Sequence, residues 1–340
     1  MQVTTIGIDL AKNIFQVHGI AENGDVVFNR AIRRAQLLAF FADLPACLVG
    51  MEACSSSHYW ARQLSALGHD VRLIPANYVK PYVKRGKSDA ADAEAICEAI
   101  GRPSMRFVPV KTAEQLEIQA VHRIRQRLVA NRTRLVNQIR GLLAEHGVVV
   151  ARDISRIRQA LSQIADDVDH TLGAMLVDLV CDVRGELSEL DQRIVVYTKR
   201  IRELFRSNEM CQRIGKIEGI GPITATALVA ATGDRTCFKN GRQFAAWLGL
   251  VPKQRSSGGK SRLFGISKRG DRYLRTLLIH GARAVLRKAG GKTDARSLWI
   301  ERMRDRRHPN VVAVALANKN ARIVWAVLSD RNEHQPALTA

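Results

Sequence analysis

Near its start the chain carries the apolar, β-branched stretch Val3–Leu10 (VTTIGIDL), and this pattern predicts a β-strand. Two more strand patterns follow at Ile14–Ile20 and Val26–Phe28, and the turn sequence Glu22–Asp25 (ENGD) separates them. We therefore expect three strands joined as a meander.

Helical and strand patterns alternate after the meander. A helical pattern through Leu37 and Phe41 precedes a short strand at Cys47–Met51, and a second helix precedes a strand at Val71–Ile74. The resulting order, β-β-β-α-β-α-β-α, predicts an α/β fold in which helices pack on a mixed sheet. Ribonuclease-H-like nucleases have this arrangement, although the order alone does not select that fold.

The middle of the chain predicts long helices. Lys111–Glu145 contains no proline, and its apolar and arginine residues interleave at helical spacing. A second segment has a heptad seam formed by Val183, Leu187, Leu190, Ile194, Tyr197, Ile201 and Leu204. The seam fits a coiled coil, within one chain or between chains, and it fits a plain helical hairpin equally well.

Composition and charge limit the possible functions. The 340 residues are 46% hydrophobic, which allows a sizeable core and excludes a disordered chain. The 53 lysines and arginines outnumber the 32 aspartates and glutamates and give a net charge of +21. A polyanion relieves the self-repulsion of such an excess, so nucleic acid is the expected partner. A solvated basic face is the alternative.

The six cysteines form no CxxC pair, so we expect reduced thiols. We find no signal stretch, and no uninterrupted apolar run approaches the roughly 20 residues that span a bilayer. The sequence predicts a cytoplasmic protein without a membrane partner. The stretch Val311–Leu328 is expected to be a buried helix.

Four carboxylates occupy positions where acids have a chemical use. Asp9 lies at the end of the first predicted strand, and Glu52 directly follows the predicted strand Cys47–Met51. Both carboxylates are therefore expected on neighbouring strand ends. Asp89 and Asp92 lie three residues apart at the start of a helix that Ser88 is placed to cap, so their side chains leave one face of its first turn.

Such carboxylates repel one another at one edge unless cations lie between them. Mg²⁺ takes oxygen ligands, and a pair of these ions can bind the attacking and leaving oxygens of a phosphodiester. The set therefore predicts an Mg²⁺ site for phosphoryl transfer or hydrolysis. Taken singly, each carboxylate is also typical of a turn, a helix cap or compensation of a helix dipole.

Two glycine-containing segments indicate contacts with nucleic acid. Ile217–Ala225 contains Gly219 and Gly221, and it is similar to the hairpin of a helix-hairpin-helix module, whose backbone N–H groups approach a DNA phosphate. A plain turn between two helices fits this segment equally well. The second segment is a basic loop in which Ser257 precedes two glycines.

The basic loop permits two interpretations. Its expected nucleic-acid-binding residues are Lys253, Arg255, Lys260, Arg262, Lys268 and Arg269. Neighbouring cations lower the cost of ionising a serine hydroxyl, so a serine–DNA phosphoester is one interpretation. A flexible loop that only contacts phosphate is the other.

Together these segments make the sequence resemble the DEDD transposases of the insertion-sequence one-hundred-and-ten family over nearly the whole chain. The matching segments are Gly7-Ile8-Asp9, Met51-Glu52, Lys87–Ala93 (KSDAADA), Gly219–Pro222 (GIGP), Ser257–Lys260 (SGGK) and Gly265–Gly270 (GISKRG). The Asp-x-x-Asp-Ala and Ser-Gly-Gly-Lys elements are specific in this order, whereas the glycine hairpin is not.

The resemblance implies three regions. Residues 1–108 would form a RuvC-like ribonuclease-H domain in which Asp9, Glu52, Asp89 and Asp92 bind Mg²⁺. Residues 109–206 would form a coiled-coil region that assembles protomers into a dimer or tetramer. Residues 207–330 would form a mainly α-helical transposase domain in which Ser257, or its neighbour Ser256 if the motif is displaced by one, attacks DNA.

The resemblance also implies an RNA-guided enzyme, a serine recombinase that inserts its element. A structured guide RNA, the bridge RNA, would pair with donor and target double-stranded DNA, and this would account for much of the positive charge. Two alternatives stay open. One is an Mg²⁺-dependent, structure-selective nuclease that uses water, such as a junction resolvase. The other is a non-catalytic nucleic-acid-binding protein.

Overall fold

The structure is a computed structural model that describes residues 2–84, 86, 88–166, 172–233 and 237–329. Lys87 of the matching motif and Asp330, the end of the predicted third region, lie outside these residues. The chain divides into two compact units. The first holds Met1–Gln115 with Thr232–Lys239, and the second holds Leu116–Ala231 and the chain from Asn240 on. The division into three functional regions stays a prediction.

A five-stranded mixed sheet forms the centre of the first unit. Its strands are β1 (Val3–Asp9), β2 (Ile14–Ala21), β3 (Val26–Arg33), β4 (Leu48–Glu52) and β5 (Asp70–Ile74). The order is β3-β2-β1-β4-β5, with β1 to β3 antiparallel and with β4 and β5 parallel to β1. The predicted meander is confirmed. β3 extends to Arg33, past the predicted end at Phe28. The prediction stopped short because the exposed polar residues that follow lack an apolar alternation.

Helices cover this sheet and close its core. They are α1 (Leu37–Ala42), α2 (Ser57–Ala66), the short α3 (Ala76–Val79) and α4 (Asp89–Ile100). Ile6, Ile8, Phe15, Met51 and Leu64 have no exposed surface in this core. The predicted α/β order is confirmed, with α3 as an addition.

The rest of the chain is mainly helical. Its helices are α5 (Ala113–Glu145), α6 (Ile154–Ala165), α7 (Ala174–Ser207), α8 (Glu209–Gly215), α9 (Pro222–Thr232), α10 (Gly241–Trp247), α11 (Arg272–Arg287), α12 (Ala295–Arg304) and α13 (Pro309–Ser329). Between α10 and α11 a hairpin consists of β6 (Pro252–Gln254) and β7 (Leu263–Ile266).

The two predicted long helices are confirmed as α5 and α7, and they share one core with α6. Leu187 and Ile194 of the heptad seam are buried in this core beside Leu128 and Ile139 of α5. α6 was not predicted, although Asp153 caps it by accepting a hydrogen bond from the Ser155 N–H at 3.0 Å. The seam therefore packs within the chain, and association between chains stays a prediction.

Helix α13 is long and apolar enough to cross a membrane by length and composition. Half of its most apolar stretch is buried inside the protein, and Val312, Leu316 and Val324 have no exposed surface. A core helix of a folded domain passes the same test, so α13 is weak evidence for a membrane span. The prediction of a buried helix at Val311–Leu328 is confirmed.

Candidate active site

Asp9 and Glu52 meet at one edge of the sheet. They are the last residues of β1 and β4, which run parallel with Ile8 opposite Met51. Because parallel strands present their carboxyl ends at the same edge, the two carboxylates are the next residues in register. Both side chains are half-buried.

Gly7 allows α4 to cross β1 at very short range. A Cβ atom at this position would lie 2.2 Å from the Ala93 carbonyl oxygen and 2.5 Å from the Cys97 amide nitrogen. Any side chain would therefore push the helix off the sheet. The glycine two residues before Asp9 thus brings the first turn of α4 close to the edge where β1 ends.

The start of α4 carries the second pair of carboxylates. Ser88 caps the helix by accepting a hydrogen bond from the Ala91 N–H at 3.2 Å, which confirms the predicted cap. Asp89 is exposed and Asp92 is half-buried in the first turn. An acid in this turn also interacts favourably with the helix dipole, so the position stabilises α4 whether or not a ligand binds.

The electrostatics tie the four carboxylates together. Burial raises the pKa of Asp9 to about 6 from 3.8, and the negative charges of Asp92, Asp89 and Glu52 add to the rise. Burial and the charges of Glu52 and Asp9 also raise the pKa of the Cys54 thiol. The four carboxylates therefore give this edge a negative potential, at which a cation would be stabilised.

The donor set fits a hard divalent cation in its chemistry, since it offers four carboxylates and a field that favours positive charge. Within the described parts of the chain, no three His, Cys, Asp or Glu side chains are gathered closely enough to hold a metal ion. The carboxylates act on one another through their charges without forming a closed ligand shell. Like charges repel, so a bound cation would have to draw them together.

Ser257 lies at the tip of the β6–β7 hairpin. Its carbonyl oxygen accepts a hydrogen bond from the Lys260 N–H at 3.0 Å, which closes a two-residue turn. The turn residues Gly258 and Gly259 have φ angles of 55° and 74°. Both positive values are typical of a type I′ turn, which glycine adopts without strain. The predicted flexible loop is thus a defined hairpin, and its tip is exposed.

The two serines of this tip differ in their contacts. The Ser256 hydroxyl oxygen accepts a hydrogen bond from Gln254 Nε2 at 2.9 Å. Within the described residues, Ser257 Oγ forms no side-chain hydrogen bond. The expected nucleic-acid-binding cations around them are all exposed, namely Lys253, Arg255, Lys260, Arg262, Lys268 and Arg269.

The foot of the hairpin is held by polar side chains of α11 and α13. Arg275 on α11 is 8% exposed, and its guanidinium donates to the carbonyl oxygens of Leu248, at 3.1 Å, and Gly270, at 3.5 Å. These carbonyls lie before β6 and after β7. Asn318 on α13 donates to the Leu250 carbonyl oxygen at 3.2 Å. The tip of the hairpin is therefore exposed, while hydrogen bonds from α11 and α13 fix its foot.

Gly219 and Gly221 lie in the turn between α8 and α9 and have different surroundings. Gly219, with a φ of 87°, packs against the backbone of Gly281 on α11, whose own added Cβ would lie 1.8 Å from the Gly219 carbonyl oxygen. Gly221 is exposed with nothing within 4 Å of an added Cβ. Gly219 therefore serves helix packing, whereas Gly221 faces open space, and its predicted contact with a phosphate stays a prediction.

Sequence reasoning missed a buried polar cluster in the second unit. His122 on α5 is 4% exposed, and its ring nitrogens lie 3.0 Å from Tyr273 Oη and 3.0 Å from Thr226 Oγ1. Burial, helped by the Arg125 charge, lowers the pKa of His122 to about 4. The neutral ring thus connects α5, α9 and α11. A histidine on an apolar helix face was the only signal in the sequence.

Two family models match the chain. One, of the DEDD type of IS110 and described as a transposase, matches residues 6–147. The other, described as the transposase IS116/IS110/IS902 family, matches residues 211–297. The first range includes the four carboxylates, and the second includes the serine hairpin.

Relatives match along the whole length. The chain is 54% identical over 340 residues to a probable family 20 transposase of Pseudomonas aeruginosa, covering 99% of this chain and 100% of that protein. It is 44% identical over 333 residues to the transposase for insertion sequence element IS1111A of Coxiella burnetii, covering 98% and 92%. It is 42% identical over 325 residues to the transposase for element IS1328 of Yersinia enterocolitica, covering 96% of each.

Proposed function

The chain belongs to the IS116/IS110/IS902 family of DNA transposases, and we propose that it cuts and rejoins DNA with two sets of side chains. Asp9, Glu52, Asp89 and Asp92 would hold Mg²⁺ at the sheet edge. Ser257 would be the nucleophile that attacks the DNA backbone.

The observation that carries the proposal is the field at Asp9. Burial raises the pKa of Asp9 on β1, and the charges of three carboxylates on β4 and α4 add to the rise. Perturbed carboxylates of this kind concentrate at sites where a cation or a reaction uses them. Structural carboxylates would be spaced apart or paired with the many available arginines. The edge instead keeps four acids within range of one another's charges, in a chain with a net charge of +21.

The architecture supports the finer assignment of the fold. An antiparallel β3-β2-β1 followed by parallel β4 and β5, with α4 crossing β1, is the arrangement expected of a RuvC-like ribonuclease-H domain. We assign residues 1–108 to that domain, 109–206 to a coiled-coil region and 207–330 to a mainly α-helical transposase domain with a helix-hairpin-helix-like motif.

The serine step would be a transesterification. Ser257 Oγ bonds to a backbone phosphorus while one phosphorus–oxygen bond of the DNA breaks, the hydroxyl proton passes to water, and the departing DNA oxygen takes up a proton. Attack by a DNA hydroxyl on the serine phosphoester reverses these changes and rejoins a strand. Lys260 and Arg262 would stabilise the charge of the attacked phosphate. When bound, Mg²⁺ would supply positive charge for the phosphate oxygens.

The hairpin contacts favour Ser257 over Ser256. Gln254 already donates to the Ser256 hydroxyl oxygen, and this contact holds that side chain along the strand. Ser257 occupies the first position of the exposed turn. A phosphate reaching the tip would meet Ser257 beside the backbone N–H groups of Gly258 and Gly259.

The proposed function also includes binding partners. We infer donor and target double-stranded DNA, a structured guide RNA and a homo-oligomer, acting in the cytoplasm. The family resemblance supports the RNA and the oligomer, and the net charge of +21 is consistent with two kinds of polyanion. Removal of co-purified RNA with ribonuclease is expected to abolish sequence-directed cleavage, while general DNA binding persists.

The decisive experiment looks for DNA that becomes linked to the protein. The protein with its co-purified RNA is incubated with labelled donor DNA and Mg²⁺, and products are separated on a denaturing gel. Wild type and Ser256→Ala are expected to give a protein-linked species, which Ser257→Ala, Asp89→Ala and a chelator abolish. Cleaved ends without linkage would establish the water-using nuclease, and binding indifferent to Mg²⁺ with no cleavage would establish the non-catalytic protein.

A further inference from the structure

The solvent side of α5 carries arginines that the proposed chemistry does not use. Between Ile118 and Ala144 the helix contains six arginines and no acidic residue. Three of them, Arg123, Arg127 and Arg134, are exposed. Their spacing of four and seven residues places them on one face of the helix. We call these three residues the arginine row.

The arginine row lies opposite the face by which α5 joins its core. That face buries Leu128, Leu135 and Ile139, each no more than 6% exposed, against α6 and α7. The row therefore faces away from the packed helices. Its position on the helix is not required for the fold of the second unit, since exposed arginines contribute little to the stability of a helix.

Among the described residues, the row makes no contact that ties it to α7, unlike Arg125 and Arg132, and Arg134 donates only to Asn131 Oδ1 of its own helix. Arg132 forms an ion pair with Asp191 at 2.9 Å, and Arg125 Nε donates to Thr198 Oγ1 at 2.8 Å. In the part of the chain that the structure describes, no acidic side chain forms an ion pair with the arginine row. Three positive charges are thus left facing solvent along one line.

We propose that the arginine row binds the phosphate backbone of double-stranded DNA, outside the serine hairpin. This inference rests on the proposed function for the identity of the polyanion. At 1.5 Å per residue the row spans about 17 Å, and this corresponds to about five base pairs at 3.4 Å each. Each backbone winds around the duplex, so a straight row of this length would reach phosphates on the two sides of a groove, which is about 12 Å wide for the major groove. Guanidinium groups pair well with phosphates.

Such contacts would position DNA without reading its sequence, because phosphates are the same at every base pair. The row would therefore set affinity and salt dependence, while target choice would come from elsewhere. Ala130 is exposed between Arg127 and Arg134 and adds no bulk that would keep a backbone away from the helix.

The test measures duplex affinity at several salt concentrations in the absence of Mg²⁺, so that cleavage does not interfere. Fluorescence anisotropy with a labelled 30-base-pair duplex, about three helical turns, compares wild type with R123Q/R127Q/R134Q. Three lost phosphate contacts are expected to reduce the slope of log affinity against log salt by about 2.7. The dissociation constant near physiological salt is expected to rise about 10- to 100-fold.

A matched variant removes the same charge from another helix. R193Q/R202Q/R206Q replaces three exposed arginines of α7, and its slope is expected to change by less than about one unit. Equal slopes for the two triple variants would overturn the proposal. So would a loss of affinity confined to a hairpin RNA, which would assign the row to RNA. Thermal unfolding confirms that both variants fold. A wild type that binds no DNA would refute the proposed function itself.

Discussion

Replacing Asp9 with asparagine is expected to stabilise the protein in the absence of metal while abolishing its activity. Folding raises the pKa of Asp9 from 3.8 to about 6, and a difference of about two units corresponds to about 3 kcal/mol. The side chain is half-buried and solvent screens part of the repulsion, so we expect a gain of about 1–2 kcal/mol in the free energy of unfolding.

The pH dependence of this gain follows from the direction of the pKa change. A pKa raised by folding means that the folded state holds the proton more tightly, so ionisation of Asp9 destabilises the protein as the pH rises through about 6. Asparagine carries no charge at any pH. The gain from Asp9→Asn is therefore expected in full near pH 7.5 and is expected to vanish near pH 4, as an approximate range set by the two pKa values.

Thermal unfolding at these two pH values, in a chelator, measures the effect. A gain of about 1–2 kcal/mol corresponds to a midpoint higher by about 3–8 °C. Asp43→Asn, at an exposed position after α1, is the matched control and is expected to change the stability by less than about 0.5 kcal/mol. Mg²⁺ is expected to stabilise wild type more than Asp9→Asn. An unchanged or lower midpoint for Asp9→Asn near pH 7.5 would refute the reasoning.

Three further predictions concern the supports of the two sites. Gly7→Ala is expected to destabilise the protein by about 2–3 kcal/mol and to reduce cleavage, because its Cβ would meet α4, whereas Gly101→Ala, with nothing within 4 Å, is expected to be nearly neutral in urea unfolding. His122→Gln is expected to flatten the acid dependence of stability. Burial lowers the pKa of His122 to about 4 from 6.5, so the folded protein resists protonation of the ring. Wild type is therefore expected to lose about 3 kcal/mol of stability as the pH falls from about 6.5 to 4. A steeper acid transition in the variant would contradict this. Arg275→Met is expected to cost about 1–3 kcal/mol by leaving the Leu248 and Gly270 carbonyls without their donor, and to lower serine–DNA linkage more than DNA binding; equal losses of both would indicate general unfolding.

Sequence patterns correctly placed the four acids in the fold because these acids lie at the ends of regular elements. The alternation that predicts β1 and the strand at β4 also places Asp9 and Glu52 at their last residues, and the Ser88 cap fixes the start of the helix that carries Asp89 and Asp92. Strand ends and helix starts are local properties. Periodicity and capping are therefore sufficient to find them.

The features that the sequence did not predict depend on contacts between distant segments. The need for glycine at position 7 arises because α4, more than 80 residues later, crosses β1 there. Arg275 looks like the other seven basic residues of Val251–Arg275, and only its burial under the hairpin distinguishes it. α6 is short, and its apolar residues face a core formed by two other helices. Periodicity carries no information on which segments meet.

The carboxylates and Ser257 differ in how much the stability of the fold depends on them. Effects on activity and on stability can therefore be distinguished more easily at Ser257. The carboxylates lie on strand ends and on a helix that is tightly packed against the sheet, so changing them is expected to alter stability as well as activity. Ser257 sits at an exposed turn whose backbone conformation depends on Gly258 and Gly259 and whose foot depends on Arg275. Removing the Ser257 hydroxyl is therefore expected to leave the unfolding midpoint unchanged. A loss of serine-linked DNA in Ser257→Ala can then be attributed to the missing nucleophile, and a normal midpoint in that variant is the condition for this attribution.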